Sequence, residues 1–425
     1  MNNLKIQIIS KILRILGSFI SVIIYTRALS YGEFANFSYI LAISSILFPI
    51  SLFGIYSFAA HDFGDADDKS AIMNRALVFI VIIQIPVLFF WLSIYAWHNG
   101  DSIVQKLIII FMIGSIFSVY PLFEAYFFSV GNVKPMIYAT FISTIMCTSL
   151  RFSLFFIEDK VIAASILFIF EILILFFVLY FACRRELAIF KDIKIRFFDF
   201  KTLFVRAFPN MLSVVCVVLY MKSDIIMLRY LSNLKEVAIY SFAARLSEIS
   251  YFIPVLVADY VFPKLYKKYY RNSKAYNFGL LSLVSLVIKA AILIVIITFL
   301  IGEFVVILIG GEKYIEAAYI LKIHLLSLVF VYFGTIVGKH LIAKNLYWIS
   351  FRNVAFAVLL NLLLNYLLIP LYGGLGAALA TVISYSVGSW LMLAASPSTK
   401  DSFLLPFVAL GFSHLRAYRF LKRFK

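Results

Sequence analysis

Apolar runs of about 20 residues recur from one end of this 425-residue chain to the other, and that recurrence leaves few folds open. Inside hydrocarbon only the chain itself can satisfy a backbone N–H or C=O, so repeated runs of this length predict helices that cross a bilayer. The composition agrees: 64% of residues are hydrophobic and 14% charged, against roughly 45–50% and about 25% in soluble domains. No water-soluble core absorbs that much apolar surface. A secreted enzyme, a nuclear factor and a soluble binding module are excluded, and the expected class is an all-α polytopic membrane protein without a separate soluble domain. Cys147, Cys183 and Cys216 lie in or beside apolar runs at wide spacings, which fits neither a disulfide framework nor a metal site.

Marking the runs and their breaks gives about twelve spans, near 7–27, 34–58, 76–97, 107–129, 135–157, 161–182, 208–229, 237–262, 278–301, 316–341, 351–370 and 375–396. Lys5, Lys11 and Arg14 precede the first run, and no small-residue cleavage pattern follows Tyr25, so this segment reads as an uncleaved first helix. The net charge of +17 has a topological meaning here and does not point to nucleic acid. With the N-terminus inside, the cytosolic segments collect 27 of the 38 basic residues. The opposite side keeps only Arg27, Lys106, Arg151, Lys160, Arg229, Lys235 and Lys313. The positive-inside rule therefore places both termini in the cytosol. No external loop is long enough to hold a catalytic or receptor domain.

An internal echo suggests how the spans are grouped. Arg27-x-Leu29-Ser30 followed by Glu33-Phe34-Ala35-x-Phe37-Ser38 is answered by Arg229-x-Leu231-Ser232 followed by Glu236-Val237-Ala238-x-Tyr240-Ser241. A weaker match joins Asn132 to Asn345. Both put span n over span n+6, which predicts two parallel six-helix lobes around a central cavity. The expected division is an N-terminal lobe over 1–182, a cytosolic amphipathic linker over 183–207, a C-terminal lobe over 208–396 and a basic cytosolic tail over 397–425. In the linker, Phe190, Ile193, Phe197 and Phe200 alternate with basic residues, as in an interfacial helix or an ordinary surface connection. Residues 403–412 contain Pro406 and are too short to span.

An intramembrane charge costs at least about 2.5–3.5 kcal/mol, so the charged residues inside spans are the informative ones. By helix rise, Arg245, Glu248, Lys289 and Glu171 fall near mid-membrane, Lys222, Asp224 and His324 nearer the outer face, and Arg14 toward the cytosolic side. Arg245 and Glu248, at i and i+3, either form a pair that lowers the insertion cost of both or take part in a site. Lys222 and Asp224 are spaced i, i+2, cannot face one another, and need partners elsewhere. Lys289 has no acid within a turn, and Glu171 reads as equally isolated. His324 reads first as a hydrogen-bonded packing residue. The chain has no phosphate-cradling glycine loop, no metal-spaced ligand set and no nucleophile elbow, so neither ATP drive nor a metal or other cofactor is expected.

The segment 223–267 carries Asp224, Met227-Leu228, Glu236-Val237-x-x-Tyr240, Arg245-Leu246-x-Glu248 and Phe262-Pro263. With YTRALSYGEFANFSY at 25–39 and GGLGAALATVIS at 373–384, it resembles the Wzx-type polysaccharide flippases, the polysaccharide transporter branch of the multidrug/oligosaccharidyl-lipid/polysaccharide exporter superfamily. Ala238 stands where that family commonly has Gly. The resemblance implies a non-enzymatic flippase of the bacterial inner membrane. Its cargo would be undecaprenyl-pyrophosphate-linked oligosaccharide, the repeat unit of an O-antigen or similar surface polysaccharide, carried from the cytosolic to the outer leaflet. Arg14, Lys222, Arg245 and Lys289 are then the candidate substrate-binding cations, and Asp224, Glu171 and Glu248 the candidate ion-coupling acids of an antiporter. Membrane lipids, a polysaccharide polymerase and a chain-length regulator are the implied partners. The alternatives are a multidrug or cation extruder of the same superfamily and a membrane-embedded polysaccharide polymerase.

Overall fold

A computed structural model describes residues 2–189, 197–269 and 273–411, with side chains left out at 2–12, 57, 197–199 and 268. Fifteen α-helices and no strand occur among the described residues. They are α1 (Asn2–Ala28), α2 (Tyr31–Leu52), α3 (Tyr56–Asp65), α4 (Lys69–Trp97), α5 (Ser102–Phe117), α6 (Pro121–Ser129), α7 (Lys134–Arg151), α8 (Lys160–Glu186), α9 (Phe197–Leu231), α10 (Leu234–Glu248), α11 (Phe252–Tyr269), α12 (Ser273–Gly310), α13 (Ala317–Ala343), α14 (Tyr347–Ser389) and α15 (Lys400–Leu410).

Ten helical stretches among the described residues are long and apolar enough to cross a membrane. One of them, Tyr347–Leu393, contains two helices joined at Gly373 (φ 54°, ψ −132°), and α1 adds a further helix of 27 residues. Together these make the twelve spans expected. Several spans are broken where the chain supplies a reason. Phe53 and Gly54 take positive φ between α2 and α3, Pro121 opens α6, and a 3-10 turn at Ile249–Tyr251 separates α10 from α11. Helix starts are marked by side chains that accept otherwise unmet N–H groups, as Asp68 does from Ala71 and Asp101 from Val104.

The contacts divide the chain into two compact units, Met1–Lys222 and Ser223–Lys425. In the first, α1 packs on α7, α7 on α8, and α2 on α4, α5 and α8. The start of α9 belongs to this unit. Ala207 is fully buried with Phe200, Leu203 and Met211 against the core, and Arg206 grips Asp62 with two bonds of 2.7 and 2.8 Å above the Phe58 ring. Where it is described, the 183–207 stretch packs on the first unit through Leu187, Ile189, Phe200, Leu203 and Ala207, with Arg184, Arg185, Lys201 and Phe204 exposed. Asn74 Nδ2 donates to the Ala188 carbonyl at 3.1 Å, and Leu187 and Ile189 are buried. Phe190 and Ile193 lie outside the described residues, as does the tail from 412 onward.

In the second unit α13 packs on α10, α12 and α14, and α15 lies on α12. At 11 residues, about 16 Å at 1.5 Å each, α15 does not span. Trp390 anchors it by donating to the Phe403 carbonyl at 3.0 Å and stacking on the Phe403 ring.

Candidate functional site

Two arginine-centred clusters of the first unit sit along the seam between α1 and α7. Gly17 allows the close approach, since a Cβ there would stand 2.2 Å from Thr144 Cγ2. At one level Arg14 donates to Thr140 Oγ1 at 3.0 Å and to Glu124 at 3.3 Å, while its side chain stays 46% exposed. Three turns along α7, Arg151 is enclosed: it donates to Glu171 at 2.5 Å, to the Tyr25 hydroxyl at 2.7 Å and to Ser21 Oγ at 2.9 Å. The fork of the guanidinium lets one side chain satisfy three neighbours on two helices. Its side chain is only 4% exposed. Arg151, counted with the cations of the outer side, ends α7 with its side chain buried inside the unit. One sequence expectation changes here. Glu171, which has no acid or base within a turn on its own span, is not isolated, because its partner comes from a neighbouring helix.

The second unit is organised around Asp224, which is 1% exposed. Its carboxylate accepts from Asn365 Nδ2 at 2.5 Å, from Thr381 Oγ1 at 2.7 Å and from the Tyr240 hydroxyl. The ring of polar groups continues through Asn361, whose Oδ1 accepts from Asn365 at 3.1 Å and from Ser223 at 2.9 Å. Four spans thus meet at one acid: α9 brings it, α10 brings Tyr240, and the two halves of α14 bring the asparagines and Thr381. Charge-assisted hydrogen bonds are worth about 1.5–3 kcal/mol each, so three of them offset a desolvation penalty of several kcal/mol. Asn361 Nδ2 and Asn365 Oδ1 have no hydrogen-bond partner among the described residues. The arrangement presents one carboxylate enclosed by neutral hydrogen-bonding groups. No group of three or more His, Cys, Asp or Glu side chains gathers among the described residues.

The other sequence candidates are placed as follows. Lys222 is half-buried on α9 next to the cluster in sequence, and Lys289 is half-buried on α12. Arg245 and Glu248 close α10 and are both half-buried. His324 is buried and its Nδ1 shares a 2.7 Å hydrogen bond with Ser247 Oγ, the packing role expected of it. Tyr240, Thr381, Asn361 and Asn365 were not singled out as site residues. The i, i+4 pair of asparagines in an otherwise apolar run was the signal available, since two amides on one face of a span need a common partner.

Residues 2–267 match the family described as "Polysaccharide biosynthesis protein". The chain belongs to that family. The capsular polysaccharide biosynthesis protein CapF of Staphylococcus aureus is 32% identical over 133 residues, 31% of this chain and 33% of that one. The probable low-salt glycan biosynthesis flippase Agl15 of Haloferax volcanii is 32% identical over 93 residues, 22% of this chain and 16% of that one. These matches thus span a third or less of the curated relatives. The fold is that of the lipid II flippase MurJ in its inward closed conformation, at TM-score 0.73 and 18% identity over 99% of this chain and 98% of that one. An inward-facing multidrug resistance MATE family transporter of the MOP superfamily fits as well, at TM-score 0.73 and 13% identity over 96% of both chains. Most of this family member's signature residues between 223 and 267 now have physical settings: Asp224 and Tyr240 in the cluster, Glu236 at a helix start, Arg245 and Glu248 at a helix end.

Proposed function

We propose that this member of the family is a flippase for undecaprenyl-pyrophosphate-linked oligosaccharide, the repeat unit of an O-antigen or similar surface polysaccharide. It moves the unit from the cytosolic to the outer leaflet of a bacterial inner membrane by alternating access, with both its termini cytosolic. The observation that carries this is the contrast between two arginines of one helical seam. Arg151 is enclosed and spends its donors inside the unit, whereas Arg14 is oriented by Glu124 and Thr140 yet keeps nearly half its side chain reachable. A pyrophosphate needs a fixed and accessible cation of that kind, and its two phosphoryl groups outbid a single carboxylate held at 3.3 Å. Lys222, Arg245 and Lys289 are the further head-group cations, each only half-buried. The polyprenyl tail stays in lipid, and the delivered unit passes to a polymerase and its chain-length regulator.

Asp224 is the leading coupling acid, taking a proton inward as the cargo leaves, and Glu248 is the secondary one. Glu171 contributes by holding Arg151. The flippase named among the relatives and the fold shared with a lipid II flippase support this reading. The test is reconstitution of the purified protein in vesicles with a labelled polyprenyl-pyrophosphate oligosaccharide, exposure of the sugar being read by an external glycosidase. Protein-dependent exposure is expected; efflux of organic cations with no exposure of sugar assigns the protein to the extruders instead.

A further inference from the structure

The two halves of the sequence echo differ in what their acidic residue does. In the first, Glu33 sits three residues after Ser30 and reaches back: its carboxylate accepts from the Ser30 N–H and from the Ser30 hydroxyl, both at 2.8 Å, and Ser30 Oγ accepts from the Glu33 N–H. This reciprocal box closes the start of α2 on itself. In the second, Asn233 takes the place of Ser30 and accepts from the Glu236 N–H at 3.0 Å. The carboxylate of Glu236 then reaches out to another helix, accepting from the Gly374 N–H at 2.7 Å.

Gly374 is the first residue of the second half of α14, after the break at Gly373. Its N–H is one of the orphan donors of a helix start, where a negative charge is also favoured by the helix dipole. Gly373 is required twice over. Its φ of +54° disfavours a side chain, and a Cβ there would stand 2.6 Å from Glu236 Oε2. Thr381 lies seven residues beyond Gly374, about two turns and 10 Å along the same rigid helix. The first half of α14 carries Asn365 to the same acid.

We infer that Glu236 is a positioning residue for the Asp224 cluster: by holding the Gly374 N–H it sets where the second half of α14 begins, and so the depth at which Thr381 meets Asp224. The inference rests on the coupling role proposed for Asp224. A displaced helix start moves the Thr381 donor away from the carboxylate while leaving Tyr240 and Asn365 in place, which alters ion coupling without dismantling the unit.

Two measurements on the full-length protein test it. In amide exchange, Glu236→Ala is expected to speed exchange over 374–378 about fivefold, the factor that loss of a helix cap carries, with 102–117 unchanged. Glu236→Gln, whose side-chain oxygen still accepts, stays near wild type. In flipping assays, Glu236→Ala and Thr381→Val each lower the rate, and the double variant is no slower than the slower single one, because both act through one contact. Rates that multiply in the double variant, or unchanged exchange over 374–378, overturn the inference. If Glu236→Ala does not reach the membrane, Gly373→Ala, which presses a methyl on the same carboxylate, takes its place in both arms. Flipping that ignores both Asp224→Asn and Thr381→Val defeats the coupling role of Asp224, while the exchange arm still decides whether Glu236 holds the helix start.

Discussion

Arg151 donates to Glu171 across a 2.5 Å gap that joins the end of α7 to the middle of α8, and the same guanidinium reaches Tyr25 on α1. Removing one partner strands the other in a largely dry setting. Arg151→Ala is expected to cost about 3 kcal/mol, the lower end of the range for breaking a buried pair because Glu171 is a quarter exposed. Glu171→Gln, which keeps an acceptor, costs about 1 kcal/mol. Thermal unfolding in detergent reads both, and equal melting of Arg151→Ala and wild type sinks the structural assignment of this pair.

The Asp224 cluster predicts a coupling phenotype. In reconstituted vesicles, collapse of the pH gradient is expected to stop flipping by the wild type, and the residual rate of Asp224→Asn should ignore the gradient. Dependence on sodium in place of the pH gradient would reassign the ion while keeping the site. Flipping that follows an imposed membrane potential alone, unaffected by Asp224→Asn, rules out coupling there. The outward movement of a negative head group is itself favourable by about 2.3 kcal/mol per charge at 100 mV, so this outcome is physically open.

Lys289→Ala and Arg245→Ala are each expected to abolish surface polysaccharide while the protein still reaches the membrane. Lys289→Arg and Arg245→Lys should restore most of it, because the demand is for positive charge. Wild-type polysaccharide in the double alanine variant would falsify the cationic-site proposal; loss of Arg245→Ala from the membrane favours a structural role beside Glu248.

Gly54 carries φ +73°, and a Cβ there would stand 2.6 Å from the Met211 nitrogen and 2.7 Å from the Ala207 carbonyl oxygen. Both clashes are with backbone, which cannot swing aside. Gly54→Ala is therefore expected to lose more than about 1 kcal/mol, whereas Gly64→Ala, with nothing within 4 Å, should gain a few tenths or stay neutral. Melting temperatures of the two variants in the same detergent settle it, and an unaltered Gly54→Ala refutes the close approach of α9 to this turn.

The sequence by itself determined the class and the count of spans, because a helix in hydrocarbon must satisfy its own backbone and so announces its length in apolar residues. Even the hidden break inside α14 was legible, since Gly373 and Gly374 interrupt an otherwise continuous run and the structure turns there. The candidate acids and cations were legible for a similar reason: a charge inside an apolar run is conspicuous wherever its partner lies. The partners were not. Asp224 is met by Asn365 and Thr381, 141 and 157 residues away, and Arg151 by Tyr25, 126 residues away. Such meetings depend on which faces of which helices pack together, and a run that is apolar all round carries no signal of its facing. The same holds for Glu236: its local sequence does not show that its carboxylate reaches Gly374, a contact made because the start of the second half of α14 packs within its reach, whereas Glu33 closes its own helix on Ser30.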